Sequence, residues 1–410
     1  MQHNEEIKLI AASTLEEYGL PKSFCILPWI GTELRTNGEV GVCCVTTDII
    51  DGVSLQTDTI TTVLESDSLK EIKQSFRDGV RRPGCNNCFA EERSGIVSKR
   101  EAEIHRNLDI FEDIGLFASD ATKLRYIDVK LGNVCNSKCR ICSNFSSSKW
   151  FTEEQIVFKS ADPELNKLGK WPSRNLNFWS DLSTHLDNVK YLEFFGGEPL
   201  LIQEHKEVLK LCVQKGIAHN ISISYNTNGT IYDNGIINLW KEFKHVQLLI
   251  STDGVGERFE YLRYPAKWNA VNDNIHRYID AMPSLVVGFF CTISAFNIWY
   301  LPEICQWAES EFPQCQLHFN KLFNPKHNSP KTLPNGLKHD IKEHLSASKY
   351  YSMFSPWVEF MFEDQFDEWS KHTQYRDASD RYRGESFKVT FNEFWQKQQP
   401  YTNIITTSEE

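Results

Sequence analysis

The chain has 410 residues, a formal net charge of −11 and twelve cysteines, long enough for one large domain with smaller pieces attached. The acidic balance lacks the basic footprint that nucleic-acid binding needs. No apolar run reaches membrane length, and "MQHNEEIKLIAAS" is not a secretory signal, so the expectation is a cytoplasmic protein with neither nucleic-acid nor membrane partners.

In a reducing compartment twelve thiols are not a disulfide framework. Near the start, "FCILPWIGTELRTNGEVGVCC" predicts two strands joined at Asn37 and Gly38, a strong hairpin signal. The hairpin brings Cys25 and Cys43 into one neighbourhood, and "GCNNC" adds Cys85 and Cys88. Cys43 and Cys44, adjacent on a strand, point to opposite faces, so one of them serves a given site. Four cysteines close a metal site, and two pairs of this kind suit structural zinc if nothing else is known.

The next segment, "FAEERSGIVSKREAEIHRN", predicts a charged helical stretch packing this module against the larger central domain. Glu91, Glu92, Arg93 and Arg100 read as a solvated, salt-bridged face, with substrate contact as the alternative.

Six β-branched or aromatic runs then alternate with helical segments: "LRYIDVKL" (124–131), "VKYLEFF" (189–195), "ISISYN" (221–226), "VQLLIST" (246–252), "VVGFFCTIS" (286–294) and "QLHFNKL" (316–322). Such alternation predicts parallel βαβ units and an open or partial (β/α) barrel, whose function gathers on loops after the strands' C-terminal ends. The loops agree. The first strand runs into "CNSKCRIC" (135–142), the second into "GGEP" (196–199), the third ends at "NTNGT" (226–230) and the fourth at "STDG" (251–254).

No second cysteine pair or histidine pair follows Cys142 at a zinc spacing. Cys135, Cys139 and Cys142 would hold three irons of a [4Fe-4S] cluster and leave the fourth open to a substrate or cosubstrate. Cys212, Cys291, Cys305 and Cys315 have no partners in sequence and read as small buried apolar residues.

Residues 143–185 are polar and tryptophan-bearing, including the first barrel helix and with length enough for a lid. Lys321 sits at the sixth strand's end, where it faces substrate or serves in capping. Beyond residue 325 a proline-punctuated connector leads into aromatic-rich helical sequence around "KYYSMFSPWVEFMFEDQFDEW", expected to cap the barrel and to form core or interface.

"CNSKCRIC" followed by "GGEP" resembles the radical SAM superfamily, over roughly residues 120–325. The resemblance implies a partial (β/α)6 barrel whose open iron chelates S-adenosylmethionine. Electron transfer then cleaves the sulfonium to methionine and a 5′-deoxyadenosyl radical, which abstracts hydrogen from a substrate. It implies that Gly196, Gly197, Glu198 and Pro199 receive the methionine amino group, glycines permitting close main-chain approach. Asn226 and Asn228 match positions near the ribose or methionine, although "TNGT" also suits a turn. Ser251 and Arg263 match residues aimed at the methionine carboxylate, a directional pairing for a guanidinium. The residue before the last cysteine is often aromatic in the family and rests near adenine; here it is Ile141, which keeps apolar contact without stacking.

The N-terminal cysteines resemble the SPASM and twitch auxiliary-cluster modules, whose G-x-V-x-x-C hairpin matches the offset from Gly38 to Cys43. This favours Cys25, Cys43, Cys85 and Cys88 as ligands of a second iron–sulfur cluster, with Cys44 in packing. The module usually follows the barrel, whereas here it precedes it.

The expected fold is therefore α/β: a partial (β/α)6 barrel (120–325), an N-terminal β-hairpin cluster-binding module with its linker helix (1–119), and a helical C-terminal capping region (326–410). The expected activity is radical SAM oxidation of a peptide or protein, with the auxiliary cluster as electron relay and a flavodoxin- or ferredoxin-type electron donor. The alternatives are a radical dehydrogenase or epimerase acting on a sugar or other small molecule, and a non-catalytic metal-binding scaffold.

Overall fold

The computed structural model describes residues 2–363 and 365–402. Among them are eight strands: β1 (Gly31–Leu34), β2 (Val40–Gly41), β3 (Tyr126–Val129), β4 (Tyr191–Phe194), β5 (Ser222–Thr227), β6 (His245–Ser251), β7 (Val286–Ile293) and β8 (Gln316–Lys321). They form a single sheet in the order β2-β1-β3-β4-β5-β6-β7-β8. Every pairing is parallel except that of β1 with β2. The six runs expected from the sequence are β3 to β8, and helices connect them on the outside.

Burial alternates along β5 and β6, as a sheet with an apolar outer face and a polar inner one requires. Ile223, Tyr225, Val246, Leu248 and Ile250 are buried, with Phe194 stacked on Tyr225 at 4.4 Å. The intervening Ser224, Asn226, Gln247 and Ser251 are half-buried. Their period of two puts them together on the opposite face, toward the barrel lumen.

The Asn37–Gly38 turn forms as expected: Gly38 has φ +85°, the left-handed region open to glycine, and its N–H bonds the Arg35 carbonyl. The hairpin also lies in the barrel's own sheet, because β1 pairs in parallel with β3, Gly31 opposite Tyr126 and Leu34 opposite Val129. Since β2 ends at Gly41, Cys43 and Cys44 fall in the following turn, not on a strand as the sequence suggested.

The charged stretch after Cys88 is salt-bridged as expected but solvated only in part: Arg93 is exposed, Glu91 and Glu92 are half-buried, and Arg100 is buried. Arg100 is 8 % exposed and holds the Glu92 carboxylate and the carbonyls of Lys22 and Phe24. Glu91, on the helix Asn86–Arg93, pairs with Lys321 at the end of β8, so Lys321 is a bridge to the N-terminal segment.

The C-terminal helices Asn335–Ser346, Tyr351–Phe360, Trp369–Arg383, Phe387–Thr390 and Asn392–Thr402 pack into a second core that holds Phe354, Val358, Phe387 and the linking Phe391 together with Phe296 and Tyr300. The aromatic density there is core, as expected. Cys212, Cys291 and Cys305 are buried and Cys315 is half-buried.

Candidate functional site

The three-cysteine loop follows β3 directly. Cys135 and Cys142 are raised by burial, Cys135 to about 12, and Cys142 further by the neighbouring Cys139 and Cys135. Such thiols stay protonated until a metal takes them, since only the thiolate is a ligand. Two donors already favour the thiolate: the Ser137 N–H lies 3.4 Å from the Cys135 sulfur and Arg263 Nη1 lies 3.7 Å from that of Cys139.

The loop opens onto a cavity of about 330 Å³ at the C-terminal ends of the strands, walled by all three cysteines and Ile141. Facing them are Gly196 and Gly197 after β4, Asn226 and Asn228 at the end of β5, and Ser251 and Arg263 on and after β6. Residues separated by more than a hundred positions thus converge at one rim. Arg263 is buried and ion-paired with Asp253 at 2.7 Å. Burial raises the Asp253 carboxyl, and the Arg263 guanidinium opposes the rise.

Glu198 and Pro199 do not line the cavity. Glu198 is completely buried and accepts from the Thr227 hydroxyl at 2.7 Å and the N–H groups of Asn228 and Leu200 at 2.8 and 3.1 Å. It braces the second loop against the third. The N–H groups of Gly197 and Glu198 bond the carbonyls of Ser146 and Val134 in the cysteine loop. Gly197 has φ +54°, and a Cβ there would lie 2.2 Å from the Val134 carbonyl oxygen, so this crossing requires glycine. Asn228 is likewise partly structural, its amide donating to Asn136 and Ser137.

Several cavity residues are not singled out by the sequence, Lys130 and Thr36 among them. Lys130 reaches the cavity from β3 and pairs with Glu33 of β1, and Thr36 comes from the hairpin. The position of Lys130 five residues before Cys135 was legible; that of Thr36 was not, because it depends on the pairing of β1 with β3.

At the N-terminal site, burial raises the Cys25 thiol, with Cys43, Cys85 and Cys88 adding to the rise. Cys88 is raised to about 11, chiefly by burial, with Cys85 contributing. The four expected ligands are therefore electrostatic neighbours. Cys44 turns the other way: its N–H donates to Asp128 at 2.7 Å, and its sulfur stands with the carboxylates of Asp128 and Glu193.

Among the described residues, Cys44, Asp128 and Glu193 are the one group of three or more metal-ligating side chains gathered within 4.8 Å. Lys99 already occupies that group, 3.1 Å from Glu193. The two sets of expected cluster cysteines are not among the groups gathered within 4.8 Å. A cosubstrate fits: the Asn226 side-chain oxygen and Arg263 Nε, on cavity residues, are buried without a protein partner.

Residues 129–308 match the family model of the Radical SAM superfamily. No curated protein matches the chain. Similar solved structures include native anSMEcpe with bound AdoMet and Cp18Cys peptide, at 17% identity over 54% of this chain and 58% of that one, with a TM-score of 0.36. Streptococcus suis SuiB bound to the precursor peptide SuiA is 11% identical over 81% and 74% of the two chains, TM-score 0.38. TYW1 with a lysine-pyruvate adduct is 14% identical over 55% and 74%, TM-score 0.30. The match to anSMEcpe thus spans less than two thirds of that protein. The cysteine triplet, "GGEP", Asn226, Ser251 and Arg263 all lie inside the residues that match the radical SAM family model.

Proposed function

We propose that the protein cleaves S-adenosylmethionine reductively at a [4Fe-4S] cluster held by Cys135, Cys139 and Cys142 and directs the resulting radical at a hydrogen atom of a peptide or protein. The single observation that carries this is the convergence of the three thiols with Asn226, Ser251 and Arg263 on one cavity. When bound, the cluster supplies one electron to the cosubstrate's sulfonium, producing methionine and a 5′-deoxyadenosyl radical.

The chain's own residues bind and orient. Arg263 offers a buried cation at the Cys139 side of the cavity, aimed at the cosubstrate carboxylate. Asn226 offers an unsatisfied acceptor to a hydroxyl or amino group. Glu198 acts indirectly, fixing the two glycines and Asn228 relative to each other. Ile141 supplies an apolar wall.

Cys25, Cys43, Cys85 and Cys88 are the residues that would hold a second iron–sulfur cluster, which would supply an acceptor for the electron left on the substrate and so make the net reaction an oxidation. Their mutual proximity supports this. The peptide class follows from the resemblance to auxiliary-cluster modules, as does a flavodoxin- or ferredoxin-type donor. The boundaries at 119/120 and 325/326 belong to the same proposal.

The test is anaerobic reconstitution, iron and sulfide analysis with Mössbauer spectroscopy, then dithionite and S-adenosylmethionine with 5′-deoxyadenosine as readout. Deoxyadenosine from the wild type and none from a folded Cys139→Ala chain is expected. Undiminished cleavage in Cys139→Ala overturns the assignment, and zinc in the N-terminal site overturns the relay.

A further inference from the structure

The two residues flanking Cys139 in "SKCRI" are both basic, Arg140 buried and Lys138 partly so, its side chain 16 % exposed. Arg140 is completely buried. Its Nη2 sits 2.6 Å from Asp380 and 2.7 Å from Glu385, and its guanidinium lies 3.8 Å above the Tyr261 ring, a cation–π distance. Its backbone is held as fully. The N–H donates to the Leu262 carbonyl at 2.8 Å, and the carbonyl accepts from Asn328 and from the Tyr375 hydroxyl, each at 3.0 Å.

Lys138 repeats the arrangement one residue upstream of Cys139. Its ammonium is 2.8 Å from Glu153, whose carboxylate is also gripped by Arg383 at 3.0 Å. Glu153 is completely buried. Asp380, Arg383 and Tyr375 belong to the helix Trp369–Arg383, and Glu385 lies just beyond its end. All lie outside the residues that match the family model. Tyr261 closes the circuit: its hydroxyl donates to Asp380 at 2.8 Å, and two residues on, Arg263 touches the Cys139 sulfur.

We propose that Lys138 and Arg140 are positioning residues through which the helix Trp369–Arg383 sets the placement of Cys139, making the C-terminal region a working part of the three-thiol site. Salt bridges this deeply buried are weak sources of net stability, because desolvation opposes them. What they supply is registry, and these two act on either side of one ligand. The inference rests on the radical SAM reading only for what the loop holds; the ordering of the loop by the helix is independent of it.

The experiment is hydrogen–deuterium exchange on the full-length chain, with and without iron, for wild type, Arg140→Met and the double variant Asp380→Asn, Glu385→Gln. Peptides covering 135–142 are expected to exchange about tenfold faster in both variants while β5 and β6 keep their protection. In the iron-loaded variants the EPR signal of the reduced cluster, and its change on adding S-adenosylmethionine, are expected to shift. Wild-type exchange over 135–142 together with a wild-type EPR response overturns the proposal. Should Arg140→Met not fold, Arg140→Lys carries the test, since an ammonium cannot combine the Nη2 contacts to both carboxylates with the Nε and Nη1 contacts to the Tyr261 and Arg376 carbonyls; wild-type behaviour there overturns it equally. Absence of deoxyadenosine from the wild type removes the proposed activity, whereas the iron-free exchange result still decides the clamp.

Discussion

Lys321, the last residue of β8, lies 3.0 Å from Glu91 on the helix that carries Cys88. This ion pair joins the far edge of the sheet to the N-terminal segment, whose β1–β2 hairpin forms the opposite edge, β1 lying between β2 and β3. The Lys321 side chain is 2 % exposed and that of Glu91 16 %. Removing the carboxylate strands the more deeply buried charge, so Glu91→Gln is expected to cost about 3 kcal/mol of unfolding free energy, and Lys321→Met less. Denaturant unfolding of the two variants gives the order directly; a reversed order contradicts the asymmetry.

The orientation of Cys44 toward Asp128 separates it from its neighbour. Cys43→Ala should lower iron from about eight to about four per chain, whereas Cys44→Ala should leave it unchanged. Iron analysis after reconstitution checks both. Equal loss in the two variants would mean that Cys44 is a ligand.

Glu198 should behave as a brace. Glu198→Gln replaces an acceptor of three hydrogen bonds with a group that presents a donor to the Asn228 N–H or the Thr227 hydroxyl, at a cost of about 2 kcal/mol. Because the glycines and Asn228 lose their mutual register, S-adenosylmethionine binding by calorimetry should weaken in the same variant. A chain of lowered stability with undiminished affinity would confine Glu198 to the scaffold.

His205 gives the fold a pH dependence. It is completely buried, its Nε2 accepts the Leu131 N–H at 3.2 Å just before the cysteine loop, and burial lowers its pKa from 6.5 to about 3. The unfolded chain takes up this proton below pH 6.5 and the folded chain does not. The contribution is therefore complete above pH 6.5 and is lost as pH falls toward 3, at about 1.4 kcal/mol per pH unit. His205→Gln should flatten the stability profile across that window relative to wild type.

Local patterns carried much of this architecture. The six barrel strands are short, β-branched and punctuated, and the Asn37–Gly38 turn has its own chemistry, so both were readable without the rest of the chain. The cysteine triplet likewise announced itself by spacing. What escaped depends on pairs distant in sequence. Nothing within Gly31–Leu34 indicates that it pairs with Tyr126–Val129, and "GEVGVCC" looks like a longer strand than Val40–Gly41. Arg100 resembled a surface arginine because its carbonyl partners, Lys22 and Phe24, lie on another segment. The motif points Glu198 at the ligand, while its hydrogen bonds to Thr227 and Asn228 depend on a segment thirty residues away. The contacts of Arg140 with Asp380 and Glu385 span some of the longest separations in the chain and have no local sign in the sequence.

The parallel pairing of β1 with β3 also imposes an order in time. Gly31 has no neighbour in the sheet on that side until Tyr126 has been made and brought alongside, and contacts so distant in sequence form slowly. Until then Cys25 and Cys43 belong to a hairpin with one open edge, and the loop beginning at Cys135 has not left the strand that precedes it. The segments that carry the two sets of thiols therefore take their places in the sheet in the same folding event.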